Sequence, residues 1–348
     1  MCILPDHEVC PTMKKEELYL VTGAAGHLGF SIVSQLVSEN RRVRAFVLPQ
    51  DSLASRLPSR VEVVRGNVLK KEDIERFMDV KEDLDIYVIH CAAIVSITEK
   101  FLRSVYEVNV NGTRNIVDAC LKHKIRKMVY VSSVHAIPEP PKGVVTKEIS
   151  FFDKTKVYGV YGKTKAEATQ YVMDATNKGL DVTVIHPSGM CGPNAYAGNH
   201  IVQMIIDCWK GRLPMGVRGG YDFVDVRDVA AGAIAGCHKG GKGECYILSN
   251  RYISVKEILG TFHNLTGKKI PRLTAPMWMA RAVVPFYELY YRIRKQLPLF
   301  TNVSLYMLSS NSLFSNEKAR KELGFAVRPF AVTMKDTIDW LKQEHRLI

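Results

Sequence analysis

A glycine-rich turn near the start of the chain restricts the fold more than any other feature. It reads Thr22-Gly23-Ala24-Ala25-Gly26-His27-Leu28-Gly29, between an apolar run and a segment with helical spacing. Glycines spaced G-x-x-G-x-x-G allow a tight turn, a close backbone approach to a pyrophosphate and close packing of helix on strand. The helix start also offers free N–H groups to phosphates. We therefore expect a dinucleotide to bind here, with a plain strand-to-helix turn as the alternative. The predicted cofactor contacts in the turn are Gly23, Ala25, Gly26, His27, Leu28 and Gly29.

Apolar runs alternate with helical patterns through the first half of the chain. The predicted strands are Leu18–Val21, Val43–Leu48, Val61–Val64, Ile86–His90, Met128–Val131 and Val182–Ile185. The predicted helices are Leu28–Val37, Val105–Leu121 and Tyr158–Asn177. This alternation predicts an α/β fold with a doubly wound parallel sheet, a Rossmann domain, whose ligands bind at the carboxyl ends of the strands.

The length of 348 residues suits one dinucleotide-binding domain with a substantial appendage. We expect the Rossmann domain at 17–190, with return segments at about 221–265. A smaller, partly interleaved C-terminal substrate-binding region is expected at 191–220 and 266–348, and residues 1–16 form a lead-in.

The second predicted strand ends without the acidic residue that would hydrogen-bond the ribose 2′-OH of NAD. It runs Ala45-Phe46-Val47-Leu48-Pro49, and the first acid after it is Asp51. No arginine stands at the strand end either, although Arg44 and Arg56 are near. The cofactor is expected to be NAD or NADP, and the missing acid slightly favours NADP.

Tyr161 and Lys165 form a Tyr-x-x-x-Lys pattern in a predicted helix. Positions i and i+4 share a helix face, so both side chains can point at one pocket. A free phenol has a pKa of about 10, and a neighbouring ammonium lowers it towards the range of a useful acid or base. Ser132 and Ser133 follow the fifth predicted strand, where a hydroxyl can orient a substrate oxygen. A turn or cap is the alternative for the serines.

Taken together, these motifs resemble the extended short-chain dehydrogenase/reductase family, within the NAD-dependent epimerase/dehydratase superfamily. The resemblance runs from about residue 17 to residue 345. It is carried by the glycine turn, His90-Cys91-Ala92-Ala93, Asn109-Val110-Asn111-Gly112-Thr113-Arg114-Asn115, Val131-Ser132-Ser133, Tyr161 to Lys165 and His186-Pro187-Ser188-Gly189.

This resemblance implies Ser133 as the catalytic serine, Tyr161 as the acid/base and Lys165 as its partner, with Ser132 as a rival for Ser133. It also implies cofactor contacts from Asn67, Val68, Ala92, Ala93, Asn109, Ser132, Tyr161, Lys165, Pro187, Ser188, Gly189 and Met190. A homodimer packed through the helix that carries Tyr161 is implied in the same way.

Two stretches separate the reactions of this family. Dehydratases carry Asp-Glu directly after the catalytic hydroxyl, where this chain has Val134 and His135. Nucleotide-sugar epimerases place an arginine before an Asp-Phe pair to hold a diphosphate. Here Gly219-Gly220-Tyr221 precedes that pair, and Arg218 is the nearest arginine. The resemblance therefore points to the dihydroflavonol-4-reductase-like and 3β-hydroxysteroid-dehydrogenase-like branch, with hydride transfer at a carbonyl or secondary alcohol.

The chain between residues 277 and 300 is rich in apolar and aromatic side chains. These are Met277, Trp278, Met279, Val283, Phe286, Tyr287, Tyr290, Tyr291 and Phe300. We expect them to line a pocket for a flat or bulky apolar substrate of steroid or flavonoid type, with the local core as the alternative. A helix lying on a membrane surface is a further alternative for Met277–Tyr291.

Composition argues against several other classes of protein. The formal charge of +13 is spread along the chain without a basic run, so no nucleic-acid partner is expected. No apolar stretch is long enough for a transmembrane helix, and the N-terminus lacks a secretory pattern, so a cytoplasmic location is expected. No His, Cys and carboxylate spacing indicates a metal site.

Two rival functions stay open. One is a nucleotide-sugar 4-epimerase with tightly bound NAD, which would use the same three residues. The other is a non-catalytic NAD(P)-sensing regulator, which retention of both Tyr161 and Lys165 disfavours. His135 and His186 lie near the site in sequence. We expect a structural role for each, with a proton relay or substrate contact as the alternative.

Overall fold

A parallel seven-stranded sheet forms the centre of the protein. The computed structural model describes residues 15–96, 101–196, 198–213, 215–271, 273–284 and 301–347. The strand order is β10-β6-β5-β4-β1-β2-β3. The strands are β1 (Glu17–Thr22), β2 (Arg42–Val47), β3 (Glu62–Arg65), β4 (Asp85–His90), β5 (Lys127–Val131), β6 (Val182–Pro187) and β10 (Glu244–Leu248). This confirms the predicted α/β fold class.

Helices cover both faces of this sheet, and further helices pack beside it on the smaller sheets. They are α1 (His27–Ser38), α2 (Lys71–Met78), α3 (Arg103–Tyr106), α4 (Thr113–Lys122), α5 (Gly159–Asp174), α6 (His200–Trp209), α7 (Val226–Lys239), α8 (Val255–Thr266), α9 (residues 277–284), α10 (Asn302–Ser309) and α11 (Phe330–Gln343). A wide π-helical turn, Glu107–Gly112, joins α3 to α4. The helix predicted at Val105–Leu121 is therefore one continuous helical stretch with a local bulge.

The side chains of β1 alternate between two hydrophobic cores, as they must in a strand buried on both faces. Tyr19 and Val21 join the core under α1 and α7. Leu18 and Leu20 join the core under α4 and α5. The chain winds from β1 to β2 and β3 on one side and then crosses to β4 on the other. The resulting crevice lies at the carboxyl end of β1, where the glycine turn begins.

Two small sheets lie beside the large one. The first has the order β11-β9-β7, with β7 (Gly189–Cys191), β9 (Gly220–Asp225) and β11 (Arg251–Ser254). The second pairs β8 (Gly216–Val217) with β12 (Thr274–Ala275). A third hydrophobic core packs α6, α8 and α11 against β9 and β11. The chain returns to the large sheet at β10, while the predicted domain boundaries stay a prediction.

Candidate active site

The glycine turn is so tight that Gly23 and Gly29 leave no room for a side chain at their own positions. Gly23 has φ +65°, and a Cβ there would lie 2.8 Å from the backbone nitrogen of Ala92. A Cβ on Gly29 would lie 2.1 Å from the carbonyl oxygen of Gly23. Gly26 forms the N-cap of α1 without a side-chain cap, which leaves the first N–H groups of the helix open to an anion. This cradle fits the pyrophosphate of a dinucleotide.

Three other residues of the turn were predicted to contact the cofactor. Ala25 and Leu28 can offer a ligand only their backbone, and His27 can offer only its backbone or one edge of its ring. Ala25 and Leu28 are buried in the core under α1. The Nε2 of His27 donates to the carbonyl oxygen of Pro193 at 3.0 Å. Burial lowers the pKa of His27 to about 4, so the ring is neutral and ties α1 to the loop after β7.

A chain of buried hydrogen bonds fixes the ends of β1 and β4 beside the turn. The Thr22 hydroxyl accepts from the backbone N–H of Ala92 at 3.2 Å and lies 2.6 Å from Nδ1 of His90. The Thr113 hydroxyl, 3.0 Å from Nε2 of His90, donates to the carbonyl oxygen of Asn109. Its proton is thereby used, so His90 carries its proton on Nε2 and accepts from Thr22. Burial lowers the pKa of His90 to about 3, which keeps it neutral.

Asn109 extends this network to the helix that carries the tyrosine. Its side-chain amide bonds both backbone groups of Ile94, at 2.7 and 3.0 Å. Its amide nitrogen also donates to the hydroxyl of Thr164 at 3.1 Å. That hydroxyl in turn donates to the carbonyl oxygen of Tyr161. Asn109 therefore holds the loop after β4, with Ala92 and Ala93, against α5.

The two serines after β5 point in opposite directions, as consecutive residues of an extended strand do. The Ser132 hydroxyl lies 2.6 Å from the hydroxyl of Thr169, inside the packing of α5 on the sheet. The Ser133 hydroxyl accepts from the backbone N–H of His135 at 3.2 Å. Burial raises the pKa of Tyr161 to about 12, and a hydrogen bond with the Ser133 hydroxyl opposes that rise. Ser133 is thus the serine that faces Tyr161.

Gly162 allows α5 to pack closely against the segment after β5. A Cβ at Gly162 would lie 2.9 Å from the carbonyl oxygen of His135. Without a side chain there, the helix approaches closely enough for Tyr161 and Ser133 to share a hydrogen bond.

Lys165 lies on the same face of α5 but is directed at the end of β5. Its Nζ donates to the carbonyl oxygen of Val131 at 2.7 Å and to the hydroxyl of Tyr130 at 3.2 Å. Burial lowers the pKa of Lys165 to about 7. The pKa of the Tyr161 phenol is set mainly by burial and by the Ser133 hydroxyl in this structure, and the effect of the Lys165 ammonium on it stays a prediction. The i, i+4 spacing predicted that Tyr161 and Lys165 share a helix face, but it did not predict that the Lys165 side chain is buried.

The turn after β6 is fixed by a buried carboxylate. The Ser188 hydroxyl donates to Asp222 at 2.5 Å, and the backbone N–H of Asn250 donates to the same oxygen at 3.0 Å. Burial raises the pKa of Asp222 to about 6, and the bond from Ser188 opposes the rise. Gly189 then begins β7, while the carbonyl oxygen of Met190 accepts from Asn199. The predicted contacts from Pro187 to Met190 therefore form a rigid turn at the carboxyl end of the sheet.

Asn67 and Val68 lie in the turn after β3. The backbone N–H of Asn67 donates to Asp73 at 2.9 Å, and the carbonyl oxygen of Val68 accepts from Asn115 at 3.0 Å. This turn belongs to the same end of the sheet as the glycine turn.

A cavity of about 660 Å³ opens directly beside Tyr161. Its described walls come from five separated stretches of chain: Ser96, residues 134–146, residues 155–162, Tyr221 and residues 303–314. The rings of Tyr158 and Tyr306 stack across one wall with centroids 4.0 Å apart. The Tyr306 hydroxyl donates to Glu139 at 2.5 Å, and the backbone N–H of Asn311 donates to the same carboxylate at 2.6 Å.

His135 and His186 play different parts at this site. His135 lines the cavity, and its Nε2 lies 3.1 Å from the hydroxyl of Tyr221. Burial lowers the pKa of His135 to about 4. His186 lies behind the site, where its Nδ1 donates to the carbonyl oxygen of Ser133 at 2.9 Å and its ring stacks on Phe152. His135 is placed for substrate contact, whereas His186 holds the serine backbone.

The predicted pocket residues after Pro276 do not line this cavity where they are described. Trp278 is 73% exposed and Val283 is 40% exposed, while Met277 packs on a small core with Val217. Met279 is also outside the lining. The predictions for Phe286, Tyr287, Tyr290, Tyr291 and Phe300 lie outside the described residues. Tyr221, Glu139 and Tyr306 were not predicted to line the pocket, and only Tyr221 had a sequence signal, its place before Asp222.

The chain belongs to the NAD dependent epimerase/dehydratase family, whose model matches residues 19–248. It is an NAD(P)-dependent enzyme of the extended short-chain dehydrogenase/reductase group, acting between CH–OH and C=O. It is 29% identical to sterol demethylase protein B of Methylococcus capsulatus, over 93% of this chain and 98% of that protein. It is 28% identical to a putative dihydroflavonol 4-reductase of Synechocystis, over 94% of this chain and 95% of that protein. A crystal structure of gox2253 superimposes with a TM-score of 0.78 at 28% identity, over 94% and 99% of the two chains.

Proposed function

We propose that the protein transfers hydride between a nicotinamide and a carbonyl or secondary alcohol on an apolar, ring-containing substrate of steroid or flavonoid type. The observation that carries this proposal is the composition of the cavity beside Tyr161. Its lining combines aliphatic and aromatic side chains, among them Val134, Ile137, Tyr158, Val303, Met307 and Phe314, with mostly uncharged polar ones such as Thr155, Ser310 and Asn311. Its volume of about 660 Å³ suits a ligand of several fused rings.

The charges of the cavity disfavour a nucleotide sugar. Among the described lining residues, Glu139 and Lys156 are the acidic and basic side chains, and no arginine is present. Glu139 is engaged by Tyr306 and Asn311. A diphosphate would therefore meet one carboxylate and one lysine, without the bidentate partner that arginine provides. The names of two similar proteins, a sterol demethylase protein and a putative dihydroflavonol reductase, support an apolar substrate.

We assign the proton chemistry to Tyr161 and Ser133. With a pKa of about 12, the Tyr161 phenol is protonated at neutral pH and can give its proton to a carbonyl oxygen. The Ser133 hydroxyl can hold that oxygen by a hydrogen bond, since it already faces the phenol. Oxidation of an alcohol uses the same groups in reverse, with the phenolate accepting the proton.

The cofactor is proposed to lie along the glycine turn and the carboxyl ends of the strands. Gly23, Gly26 and Gly29 would hold its pyrophosphate, and Lys165 and the turn from Pro187 to Met190 would face its nicotinamide half. When bound, the nicotinamide supplies or accepts the hydride. The chain's own groups orient the substrate and handle the proton. The homodimer and the cytoplasmic location stay predictions.

We propose NADP rather than NAD as the preferred cofactor, and the support for this is an arginine, Arg65, bonded to the loop after β2. Arg65 ends β3, and its Nη1 donates to the carbonyl oxygen of Pro49 at 2.9 Å, in the loop after β2. An arginine near the end of β2 favours a 2′-phosphate through charge-assisted hydrogen bonds.

Replacing Arg65 by glutamate is expected to raise KM for NADPH by about 10- to 100-fold and to change KM for NADH much less. Arg60→Glu makes the same charge change at an exposed side chain bonded to Asn40, and we expect it to alter neither constant. Steady-state kinetics with both cofactors provide the measurement. An equal rise for NADPH and NADH would mean that Arg65 only supports the loop.

The low pKa of Lys165 predicts a pH dependence in the neutral range. Lys165 is charged below pH 7 and loses its proton as the pH rises through about 7, well below the ordinary range of lysine. We expect kcat/KM for the cofactor in the reductive direction, which reports the free enzyme, to fall across that step. Lys165→Arg, which keeps its charge, should lower activity and remove the step. A wild-type profile that stays flat from pH 6 to pH 9 would contradict this assignment.

The proposed function is tested by following NAD(P)H absorbance with ketosteroids, flavanonols and small aldehydes, each with both cofactors. Turnover of an apolar ring ketone supports it. No turnover on this panel, together with a rise in melting temperature on adding UDP-glucose, would instead support a nucleotide-sugar epimerase.

A further inference from the structure

Helix α9 carries apolar side chains on both sides, although one side faces solvent. Its inner side, with Met277, Ala280 and Val284, packs on Val217 and Leu305. Its outer side carries Trp278, Met279, Ala282 and Val283. Trp278 is 73% exposed and Val283 is 40% exposed. Arg281 is the one charged residue among the exposed positions of α9, and the others are apolar where an ordinary amphipathic surface helix would carry polar residues.

Further exposed apolar side chains lie at the small sheet whose Val217 packs against α9. Leu273 directly precedes β12 and is 71% exposed. Its carbonyl oxygen accepts from the backbone N–H of Gly216, the neighbour of the exposed Met215. We call Met215, Leu273, Trp278, Ala282 and Val283 the apolar ridge.

The sequence around the ridge has a strong excess of positive charge. Residues 268–295 contain seven basic residues (Lys268, Lys269, Arg272, Arg281, Arg292, Arg294 and Lys295) and one acidic residue, Glu288. Of the described ones, Lys269 and Arg281 are exposed; Lys269 lies four residues before Leu273, and Arg281 lies between Trp278 and Val283 in the chain. Apolar side chains including a tryptophan, flanked by basic residues, match the interface of a bilayer that contains anionic phospholipids.

The ridge also lies one helix away from the substrate cavity. Leu305 and Leu308 of α10 pack against the inner side of α9. Val303, Tyr306 and Met307 of the same helix line the cavity. A surface that rests on lipid at this place would bring the cavity close to an apolar phase.

We propose that the apolar ridge docks on the surface of an anionic phospholipid bilayer, with Trp278 and Val283 inserted at the level of the headgroups. None of the described helices is long and apolar enough to cross a bilayer. The proposed contact is an interfacial one, held by the ridge and by the exposed Lys269 and Arg281. This inference stands apart from the proposed reaction, because docking requires neither cofactor nor substrate.

The test is flotation of the full-length protein with vesicles of phosphatidylcholine containing phosphatidylglycerol, without cofactor or substrate. We expect the wild type to float with these vesicles, to float less with pure phosphatidylcholine and to be released by salt. The tryptophan fluorescence of the protein should shift to the blue when it binds these vesicles. The shift is assigned to Trp278, because Trp340 is buried and Trp209 is covered by Lys268 and Lys342.

The double variant Trp278→Ser/Val283→Ser should lower the partition coefficient about tenfold or more, with an unchanged melting temperature because both side chains are exposed. Val332→Ser removes an apolar side chain on α11 that is about as exposed as Val283, and it should float like the wild type. Failure of the wild type to float, or flotation unchanged in the double variant, overturns the proposal. The proposal is also overturned if the protein does not bind lipid but forms a concentration-dependent dimer that the double variant loses. The ridge would then be covered by a second copy of the chain.

Discussion

Replacing Tyr161 by phenylalanine is expected to lower kcat by about 10²- to 10⁴-fold, the usual contribution of a positioned acid or base. The change removes one hydroxyl from the cavity wall and leaves the ring in place. Ser133 keeps its bond from the backbone N–H of His135, so no buried group loses its last partner. The free energy of unfolding and the affinity for NAD(P)H should therefore stay close to those of the wild type. Absorbance assays, cofactor titration and thermal melting measure the three quantities.

Tyr171→Phe provides the matched control for this prediction. Tyr171 lies on the same helix, and its hydroxyl donates to Asp118 at 2.7 Å, away from the cavity. The same loss of a hydroxyl should leave kcat unchanged there. A Tyr161→Phe enzyme that retains more than about a tenth of the activity would show that another group moves the proton. His135, with a neutral ring 6.3 Å from that of Tyr161, would be the first to consider.

The sheet was predictable because its strands are buried on both faces and therefore read as short apolar runs. Val182–Ile185 and Met128–Val131 are examples, and both are strands of the large sheet. The strands of the small sheets were not predicted. β7 has three residues and β8 has two, and each forms only through pairing with a distant segment. Their local sequence carries no period long enough to be recognised.

The cavity illustrates a different limit of sequence reasoning. The many aromatic residues between 277 and 300 predict that this segment lies in an apolar environment. They do not tell whether that environment is a substrate pocket, the local core or a membrane surface. In the structure, the described part of that stretch turns Trp278 outwards, and the cavity is built from segments up to about 200 residues apart in the chain. Lys165 shows the same limit at one residue. Its i+4 spacing from Tyr161 predicts a shared face, whereas its lowered pKa follows from burial that only the packing of α5 on β5 creates.

Gly29→Ala is expected to abolish cofactor binding and to destabilise the protein by about 3 kcal/mol or more. The added methyl would lie 2.1 Å from the carbonyl oxygen of Gly23 and 2.9 Å from the Cα of Ala24. Both neighbours are backbone atoms, so relief requires the turn itself to open, and opening it moves the N–H groups proposed to hold the pyrophosphate. Gly260→Ala in α8 is the control, because a Cβ there meets nothing within 4 Å and alanine favours a helix. Thermal melting and NAD(P)H titration of the two variants separate the outcomes. If Gly29→Ala melted earlier but kept its cofactor affinity, the turn would serve only to pack α1 on β1, which is the alternative that the sequence left open.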